Sequence, residues 1–228
     1  SPPSSTIASD GLGPLFNSRG CQQCHLKDGR GHTPTDAEDS VESLLVRISV
    51  PPSTEEHKRL LAEAILKTIP DPMYGGQIQD NAVAGLPAEA KVTIAWRETE
   101  VPLKGEAPAR LRQPILSLDN PGYGSFAQGM MTSIRVAPQM IGLGLLDAIH
   151  PGDIYAMEDP DDANQDGVSG RAHRIRDPET GKTVLGRFGW KAAMPTLKAQ
   201  NADAFLNDMG ISSPLAPASY GECTALQT

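Results

Sequence analysis

Aromatic side chains are scarce: two Trp, four Tyr and four Phe make up 4% of 228 residues. Rings normally supply much of a core's volume, so the core is either unusually aliphatic or partly filled by something that is not an amino acid. Basic charge is also short, with 20 Lys and Arg against 28 Asp and Glu and a net charge of −8. That balance is poor for coating nucleic acid or anionic lipid, where cations must neutralise phosphate. No apolar run reaches the roughly 18 residues of a membrane-spanning helix. The longest apolar-rich stretch, Met140 to Ile149, is interrupted by Gly142, Gly144 and Asp147. The opening Ser1-Pro2-Pro3-Ser4-Ser5 has neither an initiator Met nor an apolar leader. It reads as a mature or engineered start, which says nothing about where the protein works. Twenty-two glycines and 20 prolines stay below the share of roughly 25–30% that marks low-complexity chains. The length suits one large domain or two small ones; no internal repeat and no clear linker divides it.

Only three cysteines are present, and two share one pentapeptide, Cys21-Gln22-Gln23-Cys24-His25. C-x-x-C-H is the attachment signature of c-type haem. Two thiols three positions apart on one helical turn can each form a thioether with a vinyl group, and the next imidazole reaches the iron. At this chain's Cys and His frequencies the pattern arises by chance in roughly one such sequence per thousand. A thioredoxin-like redox pair would follow a strand in a βαβ unit, which is missing. A zinc knuckle would need a second Cys/His pair, and His32 alone does not supply it. The flank Gly11-Leu12-Gly13-Pro14-Leu15-Phe16 resembles the cytochrome c arrangement, with Phe16 expected to pack on the macrocycle edge or simply in the core. A buried porphyrin would also account for the missing aromatics.

Along the chain, residues 37 to 48 place apolar side chains at Val41, Leu44, Leu45 and Ile48, the i, i+3, i+4, i+7 pattern of an amphipathic helix. Glu55 to Ile69 predicts a second helix, stopped by Pro70 and Pro72. Lys91 to Val101 alternates apolar and polar residues and is rich in β-branching, which predicts a strand. Leu111 to Leu118 predicts another, with Pro114 confining it to an edge. A helix is expected from about Leu197 to Asp208, followed by a loop, Met209 to Pro214. Together with the cytochrome c likeness of the cysteine flank, these elements imply a mainly α, cytochrome c-like core with long loops. Its haem segments lie at about 8–70 and 134–215, and a β-rich insertion at about 71–133.

Further residues carry chemistry. Pro138-x-Met140-x-Gly142-Leu143 looks like the cytochrome c segment P-x-L-x-G-L, which implies that the Pro138 carbonyl orients His25; a loop before a buried helix is the alternative. Asp162, Asn164 and Asp166 followed by Gly167 reproduce the D-x-N-x-D-G half of an EF-hand loop, a candidate Ca²⁺ site. The twelfth position holds His173 rather than Glu, and a solvated acidic turn is the alternative. By the order of cytochrome c folds, Met209 is the leading distal iron ligand, with Met194 behind it. Met130, Met131 and Met140 read equally as core residues, and His150 and His173 are candidates in reach. Arg187 and Trp190 are expected to hydrogen-bond a haem propionate, although Trp190 also reads as core.

Taken together, G-P-L-F-N-x-R-x-C-x-x-C-H-x-x-D-G-R-G, R-V-A-P-Q-M-I-G-L-G-L-L-D-A-I, D-P-D-D-A-N-x-D-G-x-S-G-R, G-R-F-G-W-K-A and D-M-G-I-S-S-P-L resemble the N-terminal portion of the bacterial di-haem oxidoreductases. These are often labelled thiol oxidoreductases and are related to di-haem cytochrome c peroxidases. The resemblance implies one covalent haem here and a second haem domain that this chain lacks. It also implies a disulfide from Cys223 to a cysteine just beyond Thr228, and a periplasmic location. Two functions follow as expectations. One is one-electron transfer to a partner haem or redox protein. The other is a peroxidase-like haem with an open or displaceable distal site.

Overall fold

The computed structural model describes residues 11–34, 42–218 and 221–226. In chain order the elements are β1 (Leu15–Phe16), α1 (Cys21–Cys24), α2 (Leu26–Gly29), β2 (Leu44–Ser49), α3 (Glu55–Ala62), β3 (Gln77–Ile78), β4 (Asn81–Ala82), β5 (Lys91–Val101), β6 (Ala109–Asp119), β7 (Met131–Val136), α4 (Leu143–Ala148), α5 (Pro151–Tyr155), β8 (Arg174–Arg176), β9 (Thr183–Leu185) and α6 (Leu197–Met209). The mainly α, cytochrome c-like fold expected from the sequence is therefore incorrect: the described residues form nine strands in several small sheets against six α-helices, five of them short. The strands form four small sheets among the described residues, ordered β1-β4, β3-β2-β7, β5-β6 and β8-β9.

The largest correction falls on the first expected helix. Residues 37–41 of that call lie outside the described residues, and Leu44–Ser49 is a strand with Leu44, Val46 and Ile48 buried. The same residues satisfy period 2 as well as a helical pattern, and β-branching suits the pleat. Pairing decides between them, because β2 is the centre of a sheet with β3 on one side and β7 on the other. The expected insertion is thus stitched to β2 by hydrogen bonds.

The helix α3 begins where expected, with Thr54 Oγ1 accepting from the His57 N–H at 3.1 Å. It stops at Ala62 rather than Ile69. Ala64 takes a left-handed φ of 53°, and Ile69 leaves to bridge Val50. Nothing on α3 is buried, and its surface carries the exposed pairs Lys58–Glu55, Arg59–Glu56 and Arg59–Glu63. Such pairs add little stability, so the helix has no packing to extend it.

The long ribbon matches expectation closely. β5 spans Lys91–Val101 and pairs antiparallel with β6 through Trp96↔Pro114. The Arg112 guanidinium lies 4.2 Å above the Trp96 ring. Among the described strands β6 pairs with β5 alone, the edge position that a proline tolerates.

Two small cores hold these pieces. One gathers Val46, Ile48, Tyr74, Ile78 and Ala90, with Val92, Leu116 and Leu118 from the base of the ribbon. The other gathers Phe188, Met194 and Ala199, with Leu143 and Leu146 from α4 and Leu197 from α6. Beside the first core, Cys223 and Glu89 are both 0% exposed. Glu89 Oε2 accepts from the Gln79 N–H at 2.7 Å. Its Oε1 has no hydrogen-bond partner, and the Cys223 thiol lies beside the carboxyl group. Burial pushes the Glu89 carboxyl up to about 8.

An acid whose folded value is raised contributes stability below its unfolded value of about 4.5 and loses it as pH climbs through about 8. Glu89→Gln removes that titration. Urea denaturation at pH 5 and pH 8 should show the variant gaining on the wild type with pH, by at most about 1.4 kcal/mol per unit. A difference that stays constant with pH would contradict the buried neutral acid.

Candidate functional site

The leader to the cysteine pair is fixed first. Phe16 is buried, and β1 pairs Leu15 with Ala82 and Phe16 with Asn81. The Gly13 N–H donates to the Met209 carbonyl at 3.1 Å, and the Asn17 and Ser18 N–H groups both donate to the Asp208 carbonyl. The leader is thereby bonded along its length to the end of α6. That helix starts on Thr196, whose Oγ1 accepts from the Ala199 N–H, and stops on left-handed Gly210. A Cβ on Gly13 would collide with the Gly210 carbonyl, and one on Gly210 with the Leu15 carbonyl.

The cysteine pair then occupies one helical turn. The His25 N–H closes it on the Cys21 carbonyl at 2.9 Å. Gln23 Oε1 accepts from the Arg19 N–H at 2.9 Å and lies 3.1 Å from Ser18 Oγ, locking the entry. Cys21 is exposed and Cys24 buried, both as free thiols. Cys24 Sγ donates to the Glu42 carbonyl at 2.9 Å, and Ser43 Oγ to the Cys24 carbonyl at 2.7 Å. Burial raises the Cys24 thiol to about 11, opposite to the lowered thiol of a thioredoxin-like pair. Among the described residues no group of three or more His, Cys, Asp or Glu is arranged to hold a metal ion.

His25 Nδ1 is buried without a hydrogen-bond partner. The Pro138 carbonyl therefore does not orient it here, although the Pro138 segment does reach the turn. The Gly31 N–H donates to the Ala137 carbonyl at 3.2 Å and the Met140 N–H to the Gly29 carbonyl at 2.8 Å. Trp190 joins from the other side, with Nε1 donating to the Val136 carbonyl at 3.0 Å. Arg187 Nη1 donates to the Leu146 and Asp147 carbonyls at the end of α4. In this arrangement both groups expected at a propionate spend donors on backbone. Two sulfurs at i and i+3, an unpartnered buried imidazole nitrogen and an apolar segment pinned beside them fit a haem.

The remaining candidates are placed as follows. Met209 is half-buried at the end of α6, against the leader. Met194 is buried beside Phe188, and Lys67 Nζ donates to its sulfur at 3.2 Å. Asp162, Asn164 and Asp166 lie in one exposed loop and accept from the loop's own N–H groups: Gly167 to Asp162, Asp166 to Asn164 and Val168 to Asp166. His173 Nδ1 is 2.8 Å from the Lys191 carbonyl. Cys223 is fully buried. Its thiol is raised to about 11 by burial and by Glu89, so it is not an activated nucleophile.

Sequence reading missed the polar network behind the leader. Gln77 Nε2 lies 2.7 Å from Asn17 Oδ1, 2.8 Å from Asp208 Oδ1 and 3.1 Å from the Asn207 carbonyl. Asn17 Nδ2 donates to the Ile78 carbonyl at 2.8 Å. Burial lifts the Asp208 carboxyl to about 6. The available signal was Asn17 itself, a polar residue directly after the buried pair Leu15-Phe16.

A family model described as "Di-haem oxidoreductase, putative peroxidase" matches residues 1–228, the whole chain. Comparison with curated proteins and with solved structures returned no match. With the cysteine turn, its imidazole and the apolar segment in place, the family match settles the assignment: this chain belongs to the di-haem oxidoreductases, whose name implies haem-based redox chemistry.

Proposed function

We propose that this domain carries one covalent haem on Cys21 and Cys24, with His25 as the proximal ligand and Met209 as the distal one. It passes single electrons to a second haem domain or a redox partner protein within a periplasmic di-haem oxidoreductase. The observation that carries this reading is the Cys21–His25 turn, which sets two sulfurs three positions apart on one helical turn with His25 at its C-terminal cap. When bound, a haem ligated by His and Met supplies a one-electron iron couple at a raised potential. This chain's residues hold it. The leader and Gln23 fix the turn, and the α6 end brings Met209 to the leader through the Gly13–Met209 bond. The thioethers and the Cys223 disulfide that the resemblance implies would both belong to an oxidising compartment, which is the ground for the periplasm; Cys223 is a free thiol here. Ca²⁺ at Asp162, Asn164 and Asp166 belongs to the same proposal on the sequence pattern alone.

The family description favours a second reading, a peroxidase-like haem with an open or displaceable distal position. Absorption spectra of the purified protein separate the two, taken oxidised and dithionite-reduced, with and without carbon monoxide. Electron transfer predicts a low-spin spectrum that carbon monoxide leaves unchanged. A high-spin ferric spectrum with rapid carbon monoxide binding would replace it with the peroxidase-like reading. The variant Met209→Ala is expected to convert the first behaviour into the second. A variant indistinguishable from the wild type would remove Met209 from the iron.

A further inference from the structure

The helix α3 is amphipathic, yet none of its residues is buried. Its apolar flank borders an open cleft of about 560 Å³, within the roughly 300–1,000 Å³ of small-molecule sites. Val50, Leu60, Leu66, Ile69 and Ala127 supply apolar walls from stretches distant in sequence. Hydrogen bonds hold these walls in place. The Val50 N–H donates to the Ile69 carbonyl at 2.9 Å, and the Ala127 N–H to Oδ2 of buried Asp71 at 2.9 Å. After α3, Ala64 turns the chain back through a left-handed φ of 53°, a conformation that costs a non-glycine residue energy. The Ile65 and Leu66 N–H groups then both donate to the Leu60 carbonyl, at 2.9 and 3.1 Å, which seats Leu66 beside Leu60. Strained backbone of this kind persists only where its surroundings enforce it.

The polar side chains at the cleft are His57, Ser53 and Gln128, and no charged residue lines it. The charges of α3 pair with one another, as Lys58–Glu55, Arg59–Glu56 and Arg59–Glu63. A carboxylate or ammonium brought into the cleft would find no counter-ion there, and burying an unpaired charge is costly. His57 defines the polar contact. Its Nδ1 accepts from the Ser53 N–H at 3.3 Å. A ring nitrogen that accepts carries no proton, so the neutral imidazole holds its hydrogen on Nε2 and donates there. We propose that this cleft binds a neutral, largely apolar small molecule that presents a carbonyl oxygen to the His57 Nε2–H. The apolar walls supply affinity and the imidazole sets orientation, the usual division of roles in such sites. The site is separate from the cysteine turn and does not depend on the haem. Ser43, just before β2, donates to the Cys24 carbonyl, whereas Val50 follows the strand's other end, roughly 20 Å away along the strand.

The test is a titration of the holoprotein with benzophenone, followed by backbone amide NMR. Benzophenone should move the amides of Val50, Leu60, Leu66 and Ala127 saturably. His57→Phe should weaken benzophenone roughly fivefold, the worth of one hydrogen bond. The same variant should leave diphenylmethane, which has both rings and no carbonyl, unchanged. Leu60→Trp, on a helix that buries nothing, should fill the cleft and abolish binding of both. Benzophenone-4-carboxylate should bind more weakly than benzophenone. Benzophenone that leaves these amides unmoved up to its solubility limit overturns the proposal, as does equal affinity in the wild type and His57→Phe. A carboxylate that binds as tightly as the ketone contradicts the neutral ligand. If the same amides move with protein concentration alone, the cleft is an interface with a second copy and the proposal falls.

Discussion

The site depends on one close approach. Gly13 and Gly210 lie so near each other that a Cβ on either would strike backbone. That contact seats the end of α6 against the leader and allows the Gly13–Met209, Asn17–Asp208 and Ser18–Asp208 hydrogen bonds to form. Gly210 is needed twice, since its left-handed conformation also ends the helix. Without the approach, the four-residue turn would lose the leader that seats it, and so short a helix is unstable by itself.

Behind that crossing the molecule buries polarity instead of rings. Asn17, Gln77 and Asn207 are buried, and Gln77 alone reaches Asn17, Asn207 and Asp208. Buried networks of this kind fix a unique arrangement when they are satisfied, and they cost stability where they are not. The unpartnered Gln77 Oε1 and Asn207 Oδ1 show that some of that cost is carried here. The apolar cores are correspondingly small, and α4 is shared between one of them and solvent. A chain built this way gains from a large flat apolar group in the place its sequence leaves for one.

How much was legible in advance follows from whether a signal is local. The cysteine turn, the ribbon β5–β6 and α6 each carry their own evidence: a fixed spacing, an alternation with β-branching, and a Thr cap with a Gly stop. β2 did not, because Leu44, Val46 and Ile48 serve a strand and Leu44, Leu45 and Ile48 a helix. Only its neighbours β3 and β7, distant in sequence, choose between them. The cytochrome c resemblance pulled the whole fold toward helix, although the motif residues occupy only a few short elements. Glu89 beside Cys223, and Gln77 beside Asn17, were illegible for the same reason: each pair meets only after folding.

Haem attachment through Cys21 and Cys24 would be covalent, so mass under denaturing conditions tests it most directly. Unfolded, reduced protein from a host competent for haem attachment should carry the mass of one haem, and peptides should place it on Cys21 and Cys24. A polypeptide at its bare mass, with both thiols free to alkylate, would contradict the account.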